Sequence, residues 1–177
     1  DARLALVHIS NRRESSRWPL ASFVRLADFL RERLGLTVLL SWAPGDAGNP
    51  LFPGDDGKAE DVARQMRTRP LLLPTPTLQE LIAAMSLSDL ILSTDGGPMH
   101  MAAALDVPQV VLFGKTGQAH WAPISHPPGV AGTLHDRASY RYFWHVLELA
   151  HRTGQPLPDP ARQAFFAAAA VEDGAGA

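Results

Sequence analysis

Apolar positions along the chain alternate between two periodicities. Leu4 to Ile9 is almost continuously apolar, the pattern of a strand buried on both faces of a parallel sheet. A polar loop, Ser10 to Arg17, follows it. Pro19 suits the first turn of a helix, where its missing N–H costs nothing. Leu20, Phe23, Val24, Ala27, Leu30 and Leu34 then recur at helical spacing, and Gly35 stops the helix. Thr37 to Trp42 reads as a second buried strand. Together these make a β-α-β unit, whose crossover is expected to be right-handed.

The alternation continues. Ala43 to Gly57 is rich in Gly, Pro and Asp, which is loop chemistry, and Lys58 to Arg67 predicts a modest helix. Leu71 to Leu73 predicts a short third strand. Thr77 with Glu80 three residues later is a capping box, followed by an apolar stripe of Leu78, Leu81, Ile82 and Met85. Asp89 to Ser93 predicts a fourth strand, Pro98 to Leu105 a short helix, and Gln109 to Phe113 a fifth strand. Such a sequence of elements predicts an α/β fold with a doubly wound parallel sheet. Gly114 to Thr133, dense in Pro and Gly, is expected to be a long surface loop. Helices are expected at Tyr140 to Arg152 and Asp159 to Val171, within one domain spanning 1–172, with a disordered tail over 173–177.

Composition narrows the function classes. The chain has 177 residues, a net charge of -2 and no basic run longer than Arg12-Arg13, which argues against a nucleic-acid surface as its main function. The absence of cysteine excludes a disulfide framework and a thiolate metal site. No apolar run approaches the ~20 residues that span a bilayer. Asp1-Ala2-Arg3 carries neither a starting Met nor the apolar core of a signal peptide, so the chain is expected to be part of a longer one.

In an open parallel sheet, ligands bind beyond the carboxyl ends of the strands. Four predicted loops lie there: Ser10 to Arg17, Ser41 to Asp46, Asp95 to His100, and Gly114 to Gly117. The most informative is Ser93-Thr94-Asp95-Gly96-Gly97-Pro98-Met99-His100, a strand running through two glycines into a helix. Glycines let backbone N–H groups approach an anion, and the helix N-terminus adds its positive dipole end. His100 in the first turn can aim a ring N–H at the same anion. The local pattern equally fits a tight strand-to-helix turn with His100 as a surface residue.

That segment, with Met101-Ala102-Ala103-Ala104-Leu105-Asp106-Val107-Pro108 and then Val110-Val111-Leu112-Phe113-Gly114, resembles the signature of family 9 glycosyltransferases, the lipopolysaccharide heptosyltransferases. Upstream, His8-Ile9-Ser10-Asn11, Arg17-Trp18-Pro19, Ala43-Pro44-Gly45-Asp46 and Thr77-Leu78-Gln79-Glu80-Leu81 are similar to family segments in the same order. The resemblance covers about residues 4 to 121. It implies a GT-B enzyme of two Rossmann-like domains, of which this chain is the C-terminal, donor-binding half, and a missing N-terminal acceptor domain. The donor would be a nucleotide-diphosphate sugar, typically ADP-heptose, and the acceptor a lipid-linked lipopolysaccharide core saccharide.

The resemblance also implies roles. Asp95 would bond the donor sugar's hydroxyls. Gly96 and Gly97 N–H groups, with His100, would hold the diphosphate, and Ser10 and Asn11 would reach it from the first loop. Asp46 would take the ribose hydroxyls, and the backbone around Thr75-Pro76 would wall the base. Ser16 stands where the family has Lys, so Arg12, Arg13 or Arg17 is expected to supply the cation. Gly96 replaces a Ser or Thr, and Asp46 a longer Glu. The general base is expected in the missing domain, which leaves this one inactive alone. No cofactor and no metal is implied: Asp46, Asp55 and Asp56 lack a His partner. His120, His126, His135, His145 and His151 read as surface residues, Trp18 and Trp42 as core or loop anchors, and Trp121 as a candidate for the cleft. A cytoplasmic location is expected, with membrane contact at the inner face of the inner membrane possible only in the full protein. Two rival readings stay open: a sugar-nucleotide 2-epimerase-like domain, and a non-catalytic nucleotide-binding module.

Overall fold

The computed structural model describes residues 3–113 and 130–133. Its elements alternate from β1 to β5 and a sixth strand follows: β1 (Leu4–His8), α1 (Leu20–Glu32), β2 (Thr37–Trp42), α2 (Asp56–Gln65), β3 (Leu71–Pro74), α3 (Leu78–Ser86), β4 (Leu90–Thr94), α4 (Gly97–Ala104), β5 (Gln109–Phe113) and β6 (Val130–Thr133). A short 3-10 turn, Glu14–Ser16, lies between β1 and α1. The six strands form one sheet in the order β3-β2-β1-β4-β5-β6, with every adjacent pair parallel. This is the doubly wound order, in which the chain reverses direction across the sheet between β1 and β4.

Side-chain alternation along the strands explains the two layers of helices. Ala5 and Val7 of β1, Val38 and Leu40 of β2, and Leu90 and Leu92 of β4 share one cluster with Phe23, Leu26 and Leu30 of α1 and Val62 of α2. Leu6 and Ile91 point to the opposite face, where they meet Leu81 and Met85 of α3 and Ala102 of α4. A strand buried on both faces has no polar side to show, which is why these runs read as continuously apolar. A fully buried aliphatic or aromatic side chain contributes about 1.5–3 kcal/mol, so each helix layer is held mainly by this contact.

Polar contacts fix the joints. Asp28, buried in α1, accepts from the Arg67 backbone N–H at 2.9 Å and from its Nε at 3.2 Å, tying the end of α2 to α1. The capping box at Thr77 forms as the spacing predicts: Glu80 N–H donates to Thr77 Oγ1, and Thr77 N–H donates back to Glu80 Oε2. Trp18 packs edge-on against Phe23, and Trp42 donates its indole N–H to Asp56, so both serve as anchors. β3 ends one side of the sheet, with Leu71 and Leu72 exposed, and continues the ladder at Thr75, whose N–H donates to the Trp42 carbonyl.

The expected surface loop over 114–133 is corrected at its end. Val130–Thr133 is a sixth parallel strand, pairing Val110 with Val130 through Phe113 with Thr133. Four small or β-branched residues after a Pro-rich run are too few to show a periodicity, and the pairing comes from β5 presenting a free edge. The expected helices at 140–152 and 159–171, the tail and the domain boundary at 172 lie outside the described residues. Among the described residues no helix is long and apolar enough to cross a membrane.

Candidate functional site

A cleft of about 750 Å³ opens beyond the carboxyl ends of β1, β2, β3 and β4. That is ample for a nucleotide-sized ligand. Its walls come from four loops, three of them the predicted ones and the fourth the β3–α3 turn, Thr75 to Leu78. The cleft sits at the reversal point between β1 and β4, the place where open α/β sheets bind ligands.

On the β4 side, Asp95, Gly96, Gly97, Pro98 and His100 line the cleft. α4 starts at Gly97 with Pro in its first turn, so its N-terminal N–H groups end at the cleft wall. Asp95 is buried and His100 exposed. On the β1 side, Asn11 Nδ2 donates to Thr94 Oγ1 at 2.8 Å and to the Asp95 carbonyl at 2.6 Å. Its Oδ1 accepts from the Arg13 N–H at 2.8 Å. Asn11 is therefore the strut that joins the loops after β1 and β4, with both amide protons already committed. Ser10 Oγ accepts from the Ala43 N–H at 2.9 Å, and its own O–H remains to donate.

Of the residues singled out from sequence, Ser10, Asn11, Arg12, Pro76, Asp95, Gly96, Gly97 and His100 all line this cleft, as does Arg13. Two do not. Arg17 donates its Nε to the Asn11 carbonyl, bracing the loop from behind. Asp46 turns back on its own loop, where Oδ1 accepts from the Gly48 N–H. Asp55 is the carboxylate of that loop that lines the cleft. Asp56 bonds both Trp42 and the Gly45 N–H, which pins the loop so that Asp55 faces inward and Asp46 does not. Gly114 to Gly117 and Trp121 lie outside the described residues. Among the described residues no three His, Asp or Glu groups converge as metal ligands would.

Three further residues matter that the sequence patterns passed over. His8 is buried on the α3/α4 face, with Nδ1 3.3 Å from Ser41 Oγ. Ser41 Oγ lies 3.3 Å from Thr75 Oγ1, which donates to the Trp42 carbonyl at 3.0 Å. Read back from that carbonyl, the donors run Thr75, Ser41, His8, so His8 carries its proton on Nδ1 and keeps an acceptor at Nε2. Burial, reinforced by the Lys58 ammonium, lowers the His8 pKa from 6.5 to about 4, so the floor of the cleft is neutral. Lys58 reaches from α2 to donate to the Ile9 carbonyl at 2.6 Å and lies 4.9 Å from the centre of the Phe23 ring. Its pKa is lowered by burial; Asp55 opposes the shift and Arg17 adds to it. Ser16, where the family pattern has Lys, is buried, and its hydroxyl has no hydrogen-bond partner among the described residues. The third residue, Phe52, lines the cleft from the β2–α2 loop.

One register signal was available in the sequence. His8, Ser41 and Ser93 fall in the last two positions of three apolar strands and pair directly across the sheet, and His8 of these lines the cleft.

The model of glycosyltransferase family 9 (heptosyltransferase) matches residues 1–140. Lipopolysaccharide heptosyltransferase 3 of Escherichia coli is 31% identical over 111 residues, covering 62% of this chain and 30% of that protein. A solved family 9 glycosyl transferase from Veillonella parvula superposes with a TM-score of 0.63 at 24% identity, over 96% of this chain and 46% of that one. E. coli heptosyltransferase WaaC, solved with ADP, gives a TM-score of 0.64 at 18% identity, over 82% of this chain and 44% of that one. The match spans less than half the length of each of these relatives.

Proposed function

Because the chain belongs to glycosyltransferase family 9, we propose that it is the donor-binding half of a heptosyltransferase-like enzyme whose donor is an ADP-linked heptose or a close relative. The observation that carries this reading is the convergence of the α4 N-terminus, the Gly96-Gly97 turn, Arg12 and Asp95 on one cleft at the sheet's reversal point. An anion there meets backbone N–H groups, a helix dipole and a guanidinium together.

The chemistry follows from those groups. An acceptor hydroxyl oxygen attacks the anomeric carbon of the donor, and the bond from that carbon to the diphosphate oxygen breaks. The nucleoside diphosphate leaves with the electron pair. Charge developing on the leaving oxygen is stabilised by the α4 N–H groups, by His100 and by Arg12. Asp95 orients the sugar, and Asp55, in place of Asp46, takes the ribose hydroxyls. Pro76 and Thr75 wall the base. The general base and the acceptor site, a lipopolysaccharide core saccharide, belong to the partner domain, so the chain alone binds donor without turnover.

The test is calorimetric titration of the chain with ADP, UDP, GDP and ADP-heptose, repeated with Asp95→Ala and His100→Ala. ADP is expected to bind in preference to the other diphosphates. The heptose should tighten binding through Asp95, and that gain should vanish in Asp95→Ala. A folded chain that prefers UDP or GDP would remove the ADP-linked donor, and one that binds no nucleotide would remove the reading altogether.

A further inference from the structure

The β2–α2 connection is a built structure. Its ends are clamped where the Asp55 N–H donates to the Ala43 carbonyl at 2.9 Å and the Gly54 N–H to the Asp46 carbonyl at 3.0 Å. Gly45, at φ 126°, and Gly54 cross in backbone contact so close that a Cβ on Gly54 would fall 2.3 Å from the Gly45 carbonyl carbon. A compact surface loop with touching ends is an Ω-loop, a form that holds its tip in place by its own contacts. Here the tip is held by Asn49, whose Oδ1 accepts the N–H groups of Leu51 at 3.0 Å and Phe52 at 3.1 Å.

That device presents Phe52, 67% exposed, at the rim of the cleft beside Pro44, Pro53 and Asp55. A large apolar ring held in water by a dedicated hydrogen bond calls for an occupant. The Arg12 guanidinium lies 5.6 Å from the ring centre, so a flat cationic group already occupies the π surface. Position says which part of a ligand meets it. Phe52 belongs to the β2 loop and the anion-binding turn to β4, with β1 between them. A nucleoside diphosphate with its phosphates on α4 therefore brings its base toward Phe52, and the ribose past Asp55.

We infer that Phe52 is the nucleobase-stacking residue of this cleft, and that the base takes the ring face Arg12 now covers, releasing Arg12 toward the phosphates. The inference rests on the nucleotide reading of the site. Stacking of a base on an aromatic ring explains an exposed Phe better than hydrogen-bond readout does, because the ring has no polar handle.

Titrating the wild-type chain, Phe52→Ala and Phe52→Trp with ADP and with inorganic pyrophosphate tests it. Phe52→Ala should weaken ADP roughly 5- to 150-fold, the range of a lost base–aromatic stack, and leave pyrophosphate binding unchanged. Phe52→Trp should keep ADP affinity and gain a fluorescence quench, beyond any in wild type, that ADP produces and pyrophosphate does not. Thermal unfolding confirms that each variant is folded. Phe52→Ala binding ADP as the wild type does would overturn the inference while the proposed function stood. Equal losses for ADP and pyrophosphate would also overturn it, because the ring would then act only by placing Arg12. A wild-type chain that binds ADP nowhere would remove the proposed function and this inference together.

Discussion

His8 should make the stability of this fold depend on pH in a defined window. Its side chain is 5% exposed, and its pKa falls from 6.5 to about 4 in the folded chain. A lowered folded pKa means that the unfolded chain takes up the proton first as pH falls. The stabilisation is complete above about pH 6.5, declines as pH falls from 6.5 toward 4, and below that declines no further because both states are protonated. The span of 6.5 to about 4 corresponds to roughly 3 kcal/mol at about 1.36 kcal/mol per pH unit, with about 2 kcal/mol already lost between pH 7 and pH 5. Urea denaturation of wild type and His8→Asn at several pH values reads this directly. Asn can keep a donor near Ser41 Oγ but does not titrate, so the difference between the two profiles isolates His8 from the other acids and bases. Burial is the larger cause of the shift and Lys58 the smaller, so Lys58→Met should move the window upward without closing it. Parallel profiles for wild type and His8→Asn between pH 7 and pH 5 would refute the argument.

Other outcomes follow from the turns. Gly54→Ala puts a methyl against the Gly45 backbone with nowhere to go, and should cost about 1–3 kcal/mol in urea denaturation as the loop base is forced open. Gly96→Ala is the contrast. Gly96 is extended and its nearest neighbour to a new Cβ is Pro98 at 3.6 Å, so the variant should be as stable as wild type or up to about 1 kcal/mol more so. Thr77→Ala removes one half of the capping box and should cost about 1 kcal/mol, visible as a lower urea midpoint at unchanged slope.

How much the sequence disclosed depended on whether the determining contact was local. The capping box at Thr77 and the glycine turn before α4 are both set within a few residues, and both were legible. So was the alternation of strands and helices, because burial on two faces leaves a continuous apolar run. Asp46 and Asp55 read alike in the sequence because three carboxylates share one loop, and its closure through Asp56, Trp42 and Gly54 decides that Asp55 lines the cleft and Asp46 does not. Lys58 looked like an ordinary residue of a polar helix, since its partner, the Ile9 carbonyl, lies 49 positions away. Phe52 was hidden for a related reason: an apolar residue in a Pro- and Gly-rich loop shows no periodicity. β6 gave no signal of its own because the neighbouring strand, and not its four residues, makes it a strand.

The outer margin of the sheet at β3 carries a consequence for how this molecule meets others. The Thr75 N–H points inward to the Trp42 carbonyl, so by strand alternation the N–H positions of 70, 72, 74 and 76 face outward. Three of those four residues are prolines, Pro70, Pro74 and Pro76. An approaching strand would find one amide donor, at Leu72, where a ladder needs several, despite the exposed leucines that would otherwise invite it. The chain can thus keep an apolar rim in water without offering a template for fibre growth, and Pro76, the last of those prolines, also walls the cleft.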